Sequence, residues 1–365
     1  MAIAAIAATT ISNYAKGVWN NWVERHPFWN LLKSAGNIAT NVDGTSLTFP
    51  VRAGRYTAGA VTDYQDLTTV LKRNNLDTQA TLSWAEILTG DIVTAGEFAQ
   101  QGSTATLQKL KDIRIPNMVQ AMFDTLNSQV LTSDDPTDTS IIGLPSMFAA
   151  ATESGIGTAL VENTASDTYG GLSTVAGAIS VDGAETDAWT PGLINLGCAT
   201  TTSLYVPGTA TYLKALQFAI SKACKGNDSM YKPDVAIFTR LLFGMIKNST
   251  EGNQRFVVVG DASKESAYGS NVDILNIDGV KVMWDDAMPT GVGYVLNLSQ
   301  IGLKSLQLPP PMSGDKVIGA KAAVDGLFDI QAGYDENRRA QIYTMTFRGQ
   351  LWANPRYQVK LKDYK

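Results

Sequence analysis

The sequence predicts a mixed α/β fold in which a β-rich lobe carries a long helix and a two-stranded ribbon. Three observations predict it. Residues 272–305, VDILNIDGVKVMWDDAMPTGVGYVLNLSQIGLKS, read as three strands and two turns. Asp278 and Gly279 supply the positive-φ positions of a tight hairpin, and Met288-Pro289-Thr290-Gly291 joins a pre-set proline φ to a permissive glycine. Between residues 98 and 131, Leu107, Leu110, Val119, Met122, Phe123, Leu126 and Val130 recur at three- and four-residue steps, which predicts a helix burying one face. Residues 45–51 and 76–84 instead alternate, with Leu47, Phe49 and Val51, then Leu76, Thr78, Ala80, Leu82 and Trp84, each on one face.

The elements follow in order. Residues 1–40 form an arm with Trp19, Trp22, Phe28 and Trp29 set among polar residues, and Pro27 forbids one continuous helix, so short helical pieces are expected. Aromatic side chains bury large area wherever they land, and these four are candidates for contact with a neighbouring subunit or with the arm's own domain. The two alternating stretches enclose a polar, glycine-containing span, 54–75, too long for a structureless loop in a compact domain. A protruding ribbon accounts for it. Two strands alone are marginally stable, so the ribbon is expected to lie on a neighbour, with Arg52, Arg55, Lys72 and Arg73 as candidate polar contacts to an acidic surface.

Pro116 interrupts the long helix by a kink or a fresh start, and SDDPTDT at 133–139 ends it. Residues 141–207, rich in Gly, Ser, Thr and Ala, read as loops with short strands. Thr209 is placed to cap a helix burying Tyr212, Ala215, Leu216, Ala219 and Ile220, closed by Gly226. The strand VAIF follows, and Thr239 is placed to cap the next helix. The final strands, 340–350 and 356–361, are expected to return to the lobe of the long helix.

The chain has 365 residues, 44% hydrophobic and 17% charged, with net charge −5, which describes a folded protein large enough for two or three lobes. No stretch has the roughly 18 apolar residues of a membrane helix, and the alanine-rich start lacks a basic region before its apolar part, so neither a span nor an export signal is expected. Cys198 and Cys224 read as ordinary thiols in a reducing cytoplasm. Charge is segregated. Residues 115–213 hold ten Asp and Glu but no Lys or Arg, whereas Arg338, Arg339, Arg348, Arg356, Lys360, Lys362 and Lys365 gather near the end. This asymmetry fits either head-to-tail complementarity or two solvated surfaces. A net acidic chain is no dedicated nucleic-acid binder, yet this does not argue against enclosing DNA, since a container gains from a lining that does not hold phosphate tightly.

No catalytic, metal or cofactor site is expected. The lone His26 rules out a two-histidine metal helix, and adjacent Asp285 and Asp286 on a strand point to opposite faces and cannot share a proton. Asp134, Asp135 and Asp138 lack calcium-loop spacing, and neither phosphate-binding glycine loops nor a nucleophile elbow occur.

The run D-D-A-M-P-x-G between a strand and an aromatic-containing strand ending in N-L resembles the late region of tailed-bacteriophage major capsid proteins, the HK97-like fold family. Lys232-Pro233-Asp234-Val235-Ala236-Ile237-Phe238 resembles that family's "x-P-D strand then helix" segment, and RRAQIYTMTFRGQLWANPRYQVKL resembles its closing strands. The resemblance covers nearly the whole chain in order. It implies an N-terminal arm (1–40), an extended β-hairpin loop (41–90), a peripheral domain with a spine helix (91–141 and 304–365) and an axial domain (142–303). It further implies a major capsid protein that self-assembles, as hexamers and pentamers, into an icosahedral shell around double-stranded DNA without sequence-specific binding. A separate scaffold protein, a portal and decoration proteins are the implied partners, with the shell made in the host bacterial cytoplasm and residing in the virion. The family's lysine cross-link has no marked counterpart, because Lys72, the sole lysine of the ribbon, lies on its returning side. The rival readings are an encapsulin-type nanocompartment shell, a β-rich hydrolase and another virion structural subunit.

Overall fold

The computed structural model describes residues 27–54, 77–96, 115–133, 140–148, 168–175, 188–195, 211–225, 229–251, 274–306, 327–335 and 340–362. Trp19, Trp22, His26, Arg55, Lys72, Arg73, Cys198, Thr209 and Gly226 lie outside them.

Four helices and fifteen strands are present among the described residues. The helices are α1 (Pro27–Ser34), α2 (Ile115–Thr132), α3 (Thr211–Ala223) and α4 (Arg240–Glu251). The strands are β1 (Ile38–Val42), β2 (Leu47–Arg52), β3 (Asp77–Leu82), β4 (Ala85–Thr94), β5 (Thr168–Tyr169), β6 (Leu172–Ser173), β7 (Gly192–Asn195), β8 (Val235–Phe238), β9 (Leu275–Ile277), β10 (Val280–Trp284), β11 (Val292–Leu296), β12 (Ile301–Leu306), β13 (Asp329–Asp335), β14 (Ala340–Ala353) and β15 (Val359–Lys362). They form a five-stranded sheet, a six-stranded sheet and two two-stranded ribbons, β2-β3 and β5-β6.

The five-stranded sheet is organised by β14. Along one edge β4 pairs with residues 340–349, and along the other β13 and then β12 pair in tandem, with β1 added parallel to β12. Strand alternation gives this sheet two unlike faces. Tyr343, Met345 and Phe347 of β14, with Ile87 and Val93 of β4, are buried in the core that α1 and α2 cover. The buried stripe of α2 is Met118, Val119, Met122, Phe123, Leu126, Val130 and Leu131. Val119, Met122, Phe123, Leu126 and Val130 belong to the set expected of the long helix, while its Leu107 and Leu110 lie outside the described residues. Pro116 stands in the first turn of α2, where a missing N–H costs nothing. Aromatic rings continue across this core: Trp29 to Phe123 edge-on at 6.4 Å, Phe123 to Phe328 edge-on at 4.6 Å, and Phe328 to Phe347 at 5.9 Å.

The six-stranded sheet runs β7-β15-β11-β8-β10-β9. Both of its faces are covered. Val235, Ile237, Tyr294 and Leu296 join the core shared with α2, while Ala236, Phe238, Val282, Val295, Val359 and Leu361 pack under α3 and α4. Double burial explains why VAIF is an unbroken apolar run with no polar alternate. The hairpin between β9 and β10 turns at Asp278 (φ 52°) and Gly279 (φ 83°), as the sequence predicts. β10 and β11 are not neighbours, because β8 enters between them, parallel to β10 and antiparallel to β11. Space for it comes from Gly293, whose absent Cβ would sit 2.2 Å from the Phe238 ring.

Thr239 caps α4: its Oγ1 accepts from the Leu242 amide at 3.4 Å, and its carbonyl accepts from Phe243 at 2.9 Å. The face expected of α3, Tyr212, Ala215, Leu216, Ala219 and Ile220, is buried.

Three corrections concern connectivity. β4 leaves the ribbon at residue 85 and spends its length on β14. β1, inside the expected arm, is a strand of the five-stranded sheet. Finally, β15 does not return to the lobe of α2 with β14; it crosses to the six-stranded sheet, antiparallel to β11 and parallel to β7. Hydrophobic patterning reports burial, and both sheets bury their strands, so the pattern could not tell which sheet each joined.

Candidate assembly surfaces

The residues expected at subunit contacts divide sharply. Phe28 and Trp29 are 0% and 2% exposed, locked into the chain's own core beside Phe123, so as subunit contacts they are corrected to intramolecular anchors. Leucines at 31 and 32 complete the inward face of α1, which leaves no solvent side for these two rings. Arg52 is exposed at the end of β2, its Nε donating to Asp77 Oδ1 across the ribbon at 3.1 Å.

The ribbon base is also intramolecular. Leu47 pairs with Leu82, Phe49 with Ala80 and Val51 with Thr78, and Leu47, Val51, Ala80 and Leu82 are buried. Phe49 lies 6.1 Å from both Trp189 and Trp352, and Thr81 donates its amide to the Gly170 carbonyl of the β5-β6 hairpin at 2.9 Å. The expectation that the whole ribbon rests on a neighbour therefore fails for residues 47–52 and 77–82. Two strands that lack a third find cover from aromatic residues far away in sequence.

A second feature joins the two large sheets. β11 leaves the six-stranded sheet through a 3-10 turn, Leu298–Gln300, into β12 of the five-stranded sheet, and β14 makes the opposite crossing through Pro355–Tyr357 into β15. Each turn is opened by an asparagine side chain: Asn297 accepts from the Ser299 amide and Asn354 from the Arg356 amide. Because β12 pairs with β14 and β11 with β15, both antiparallel, one two-stranded ribbon passes from sheet to sheet and both strands break at the same level. The broken ladder is repaired by side-chain and main-chain bonds. The Asn297 amide donates to Gln358 Oε1 at 2.9 Å, and the Asn354 amide to the Gln300 carbonyl at 2.9 Å. Asn297 Nδ2 donates to the Met230 carbonyl at 2.8 Å. Leu298 donates its amide to Asp234 Oδ2 at 3.2 Å. The K-P-D and N-L motifs, 64 positions apart, thus meet at one joint. Burial pushes the Asp234 carboxyl above its ordinary range, opposed by the Leu298 N–H and the charge of Lys281.

Asp285 and Asp286 diverge, one buried and the other exposed. Asp285 accepts from Asn127 Nδ2 of α2 at 3.2 Å and from the Ala287 amide at 2.9 Å, tying the long helix to the end of β10. It is a structural clamp between lobes. Tyr169 is similarly structural: its hydroxyl accepts from the Ala353 amide at 3.1 Å, and burial drives its phenol well above the usual range. Among the described residues no three His, Cys, Asp or Glu side chains gather as metal ligands.

Two surfaces were not legible as sites. On the five-stranded sheet, the face opposite α2 presents Leu88 (64% exposed) and Ile92 (42%), with Ile342 paired beside Ile92 and the Arg348–Glu86 ion pair at its end. Alternation in β4 signals this face, but the contiguity of Ile92 and Ile342 needs the strand register. At the joint itself, a cleft of about 330 Å³ lies between the ribbon base and the two crossings, lined by Phe49, Pro50, Val51, Arg52, Ala188, Trp189, Met230, Tyr231, Gln300, Trp352, Asn354, Arg356 and Tyr357. Tyr231 and Tyr357 stack at 5.5 Å on one wall. No sequence spacing links these residues.

No protein-family model matches the chain, and no curated protein sequence matches it. Solved structures do. The chain is similar to the subunit in the cyanophage A-1(L) capsid asymmetric unit, with a TM-score of 0.63 and 18% identity over 93% of this chain and 92% of that one. It is also similar to the capsid of an empty GTA particle, with a TM-score of 0.53 and 10% identity over 92% and 90%. The capsid of the native GTA particle gives the same TM-score at 11% identity. The fold is therefore the mixed α/β fold of these capsid subunits.

Proposed function

We propose that this chain is a major capsid protein of a tailed bacteriophage, which assembles with copies of itself into an icosahedral shell enclosing the genome. One observation carries the reading: the likeness to the cyanophage A-1(L) capsid subunit runs end to end on both chains, so the match is to a whole shell subunit and not to a shared motif. In this reading α2 is the spine helix of a peripheral domain with the five-stranded sheet, the six-stranded sheet is the axial domain, and the crossing at Asn297 and Asn354 is the seam between them. The arm within residues 1–40 and the extended loop within 41–90 are read as contributing contacts between neighbours in hexamers and pentamers. The double-stranded DNA is held by enclosure, and a separate scaffold protein and a portal complete the assembly in the host cytoplasm.

Shell formation needs many interfaces of modest size, each on the order of 800 Å² per partner, whose effects multiply on closure. Geometry supports this division of labour: the lobes are internally well packed, while an apolar sheet face and a cleft stay open. Negative-stain microscopy with light-scattering mass tests it, on the chain expressed alone and together with its neighbouring genes. Closed icosahedral particles are expected. A monodisperse monomer or dimer in both preparations would overturn the reading, and rods would point to another virion subunit.

A further inference from the structure

We propose that the paired turns opened by Asn297 and Asn354 fix the angle between the two lobes, and through it the curvature and diameter of the shell. The inference rests on the shell reading and names the residues that select one size. The two sheets share one apolar core, which Val235, Ile237 and Leu296 of the six-stranded sheet join with Met345, Phe347 and Leu351 of the five-stranded sheet. Burial of this kind holds the lobes together but is non-directional, so it leaves their relative angle soft. Hydrogen bonds weaken steeply when bent, so they can fix it. In a closed assembly of identical subunits that angle is repeated at every position; a fixed angle admits one curvature, and a soft one admits several.

The directional bonds gather where the two strands cross. Leu298 is held by both lobes: its amide donates to Asp234 Oδ2 just before β8, and its carbonyl accepts from Asn37 Nδ2 just before β1. The Asn297 side chain is fully buried, accepting from the Ser299 amide at 3.0 Å and donating to the Met230 carbonyl at 2.8 Å. Gln358, equally buried, answers from the other crossing, where its Oε1 accepts from the Asn297 amide at 2.9 Å. Asn354 accepts from the Arg356 amide at 3.3 Å, and its own amide donates to the Gln300 carbonyl at 2.9 Å. Each turn is thus bonded to the other, and a rotation at one crossing breaks bonds at both. Without those bonds the ribbon is a hinge, because a few residues at element ends absorb a rotation of the blocks they join.

Spin labels on the two lobes of unassembled subunits test the angle. Leu88→Cys on β4 and Lys214→Cys on α3, both exposed positions, carry the labels, with Cys198→Ser and Cys224→Ser removing the native thiols. Asn297→Ala and Asn354→Ala are each expected to shift and broaden the distance distribution between labels. Asn354→Asp, which keeps an oxygen for the Arg356 amide, is expected to retain the original distribution. Phe123→Ala lowers stability without removing a bond of the joint, and it too is expected to retain it. In electron micrographs of unlabelled protein expressed with its neighbouring genes, the two alanine variants are expected to give several particle diameters where wild type gives one. Unchanged distances in both alanine variants would overturn the proposal, as would equal broadening in Phe123→Ala or Asn354→Asp. Several diameters from wild type, or one wild-type diameter from subunits whose distances have shifted, would overturn it too. Denaturation midpoints report folding; where Asn297→Ala misfolds, Asn354→Ala decides, because Asn354 is only half-buried. If wild-type protein forms no particles, the shell reading fails and the curvature with it, while the label distances still decide whether the turns fix the angle.

Discussion

The two large sheets of this protein are built on opposite principles. The six-stranded sheet is covered on both faces, by α3 and α4 on one side and by the α2 core on the other, so its strands read VAIF and VGYVL and expose almost nothing. Among the described residues, the five-stranded sheet is covered on one face by α1 and α2. Its other face keeps Leu88 and Ile92 in water, a cost that a lone subunit has no reason to accept. A sheet finished internally can act as a rigid block, whereas a sheet finished on one side leaves its second layer to something outside the subunit.

Four perturbations would break or sharpen that contrast, their effects on stability read on unassembled subunits so that mass action does not mask them. Phe123→Ala strikes the covered face of the five-stranded sheet, removing a ring packed on Trp29 and Phe328. A loss of about 3–5 kcal/mol is expected in chemical denaturation. Gly293→Val strikes the doubly covered sheet, where a Cβ would meet the Phe238 ring at 2.2 Å. Overpacking there should cost about 3 kcal/mol, seen as a lower Tm or insoluble chain, and Phe238→Leu in the same chain should return part of it. Asn127→Leu removes a donor to the buried Asp285 carboxylate and loosens the tie between the lobes. It is expected to cost about 1–3 kcal/mol by the same denaturation.

Leu88→Ser with Ile92→Ser is the decisive member of the set. On the open face it should change subunit stability by no more than about 0.5 kcal/mol per site, yet abolish or delay particle formation in light scattering. A stability loss as large as that of Phe123→Ala would show that the face is covered within the subunit after all.

The smallest expected effect lies at the joint. Burial raises the Asp234 carboxyl in the folded chain above its unfolded value, so the folded state holds that proton more tightly. This group therefore favours folding most at acid pH, and its contribution declines as pH rises through the folded-state titration. Asp234→Asn keeps an oxygen for the Leu298 amide but cannot ionise. Denaturation midpoints from about pH 3 to 7 should show a shallower fall with pH for the variant than for wild type. An unchanged profile would remove Asp234 from the account.

Much of the local structure was legible. The Asp278-Gly279 turn, the stripe on α2, the Thr239 cap and the paired alternation of β2 with β3 all depend on residues a few positions apart, or on a periodicity that any burial would impose. The subunit-contact residues were less legible. Phe28 and Trp29 signalled a need for burial, which the chain's own core met, and nothing in their spacing distinguished that core from a neighbour's. The cleft was invisible in sequence because its lining comes from widely separated segments, 49–52, 188–189, 230–231 and 352–357 among them, that meet only when two sheets join.

By itself the sequence determined local elements such as the Asp278-Gly279 turn, the buried stripe of α2 and the alternation of β2 and β3, and that the chain is rich enough in apolar patterning to fold around large cores. Steric restriction of φ and the period of burial act over a few residues, so they are written locally. Only the tertiary structure decided that β8 enters between β10 and β11, that β14 and β15 part into different sheets, and that Asn297 and Asn354 open matching crossings. Those choices turn on which apolar surfaces fit each other, and apolar burial is non-directional: it states how much area must leave water, but not against what.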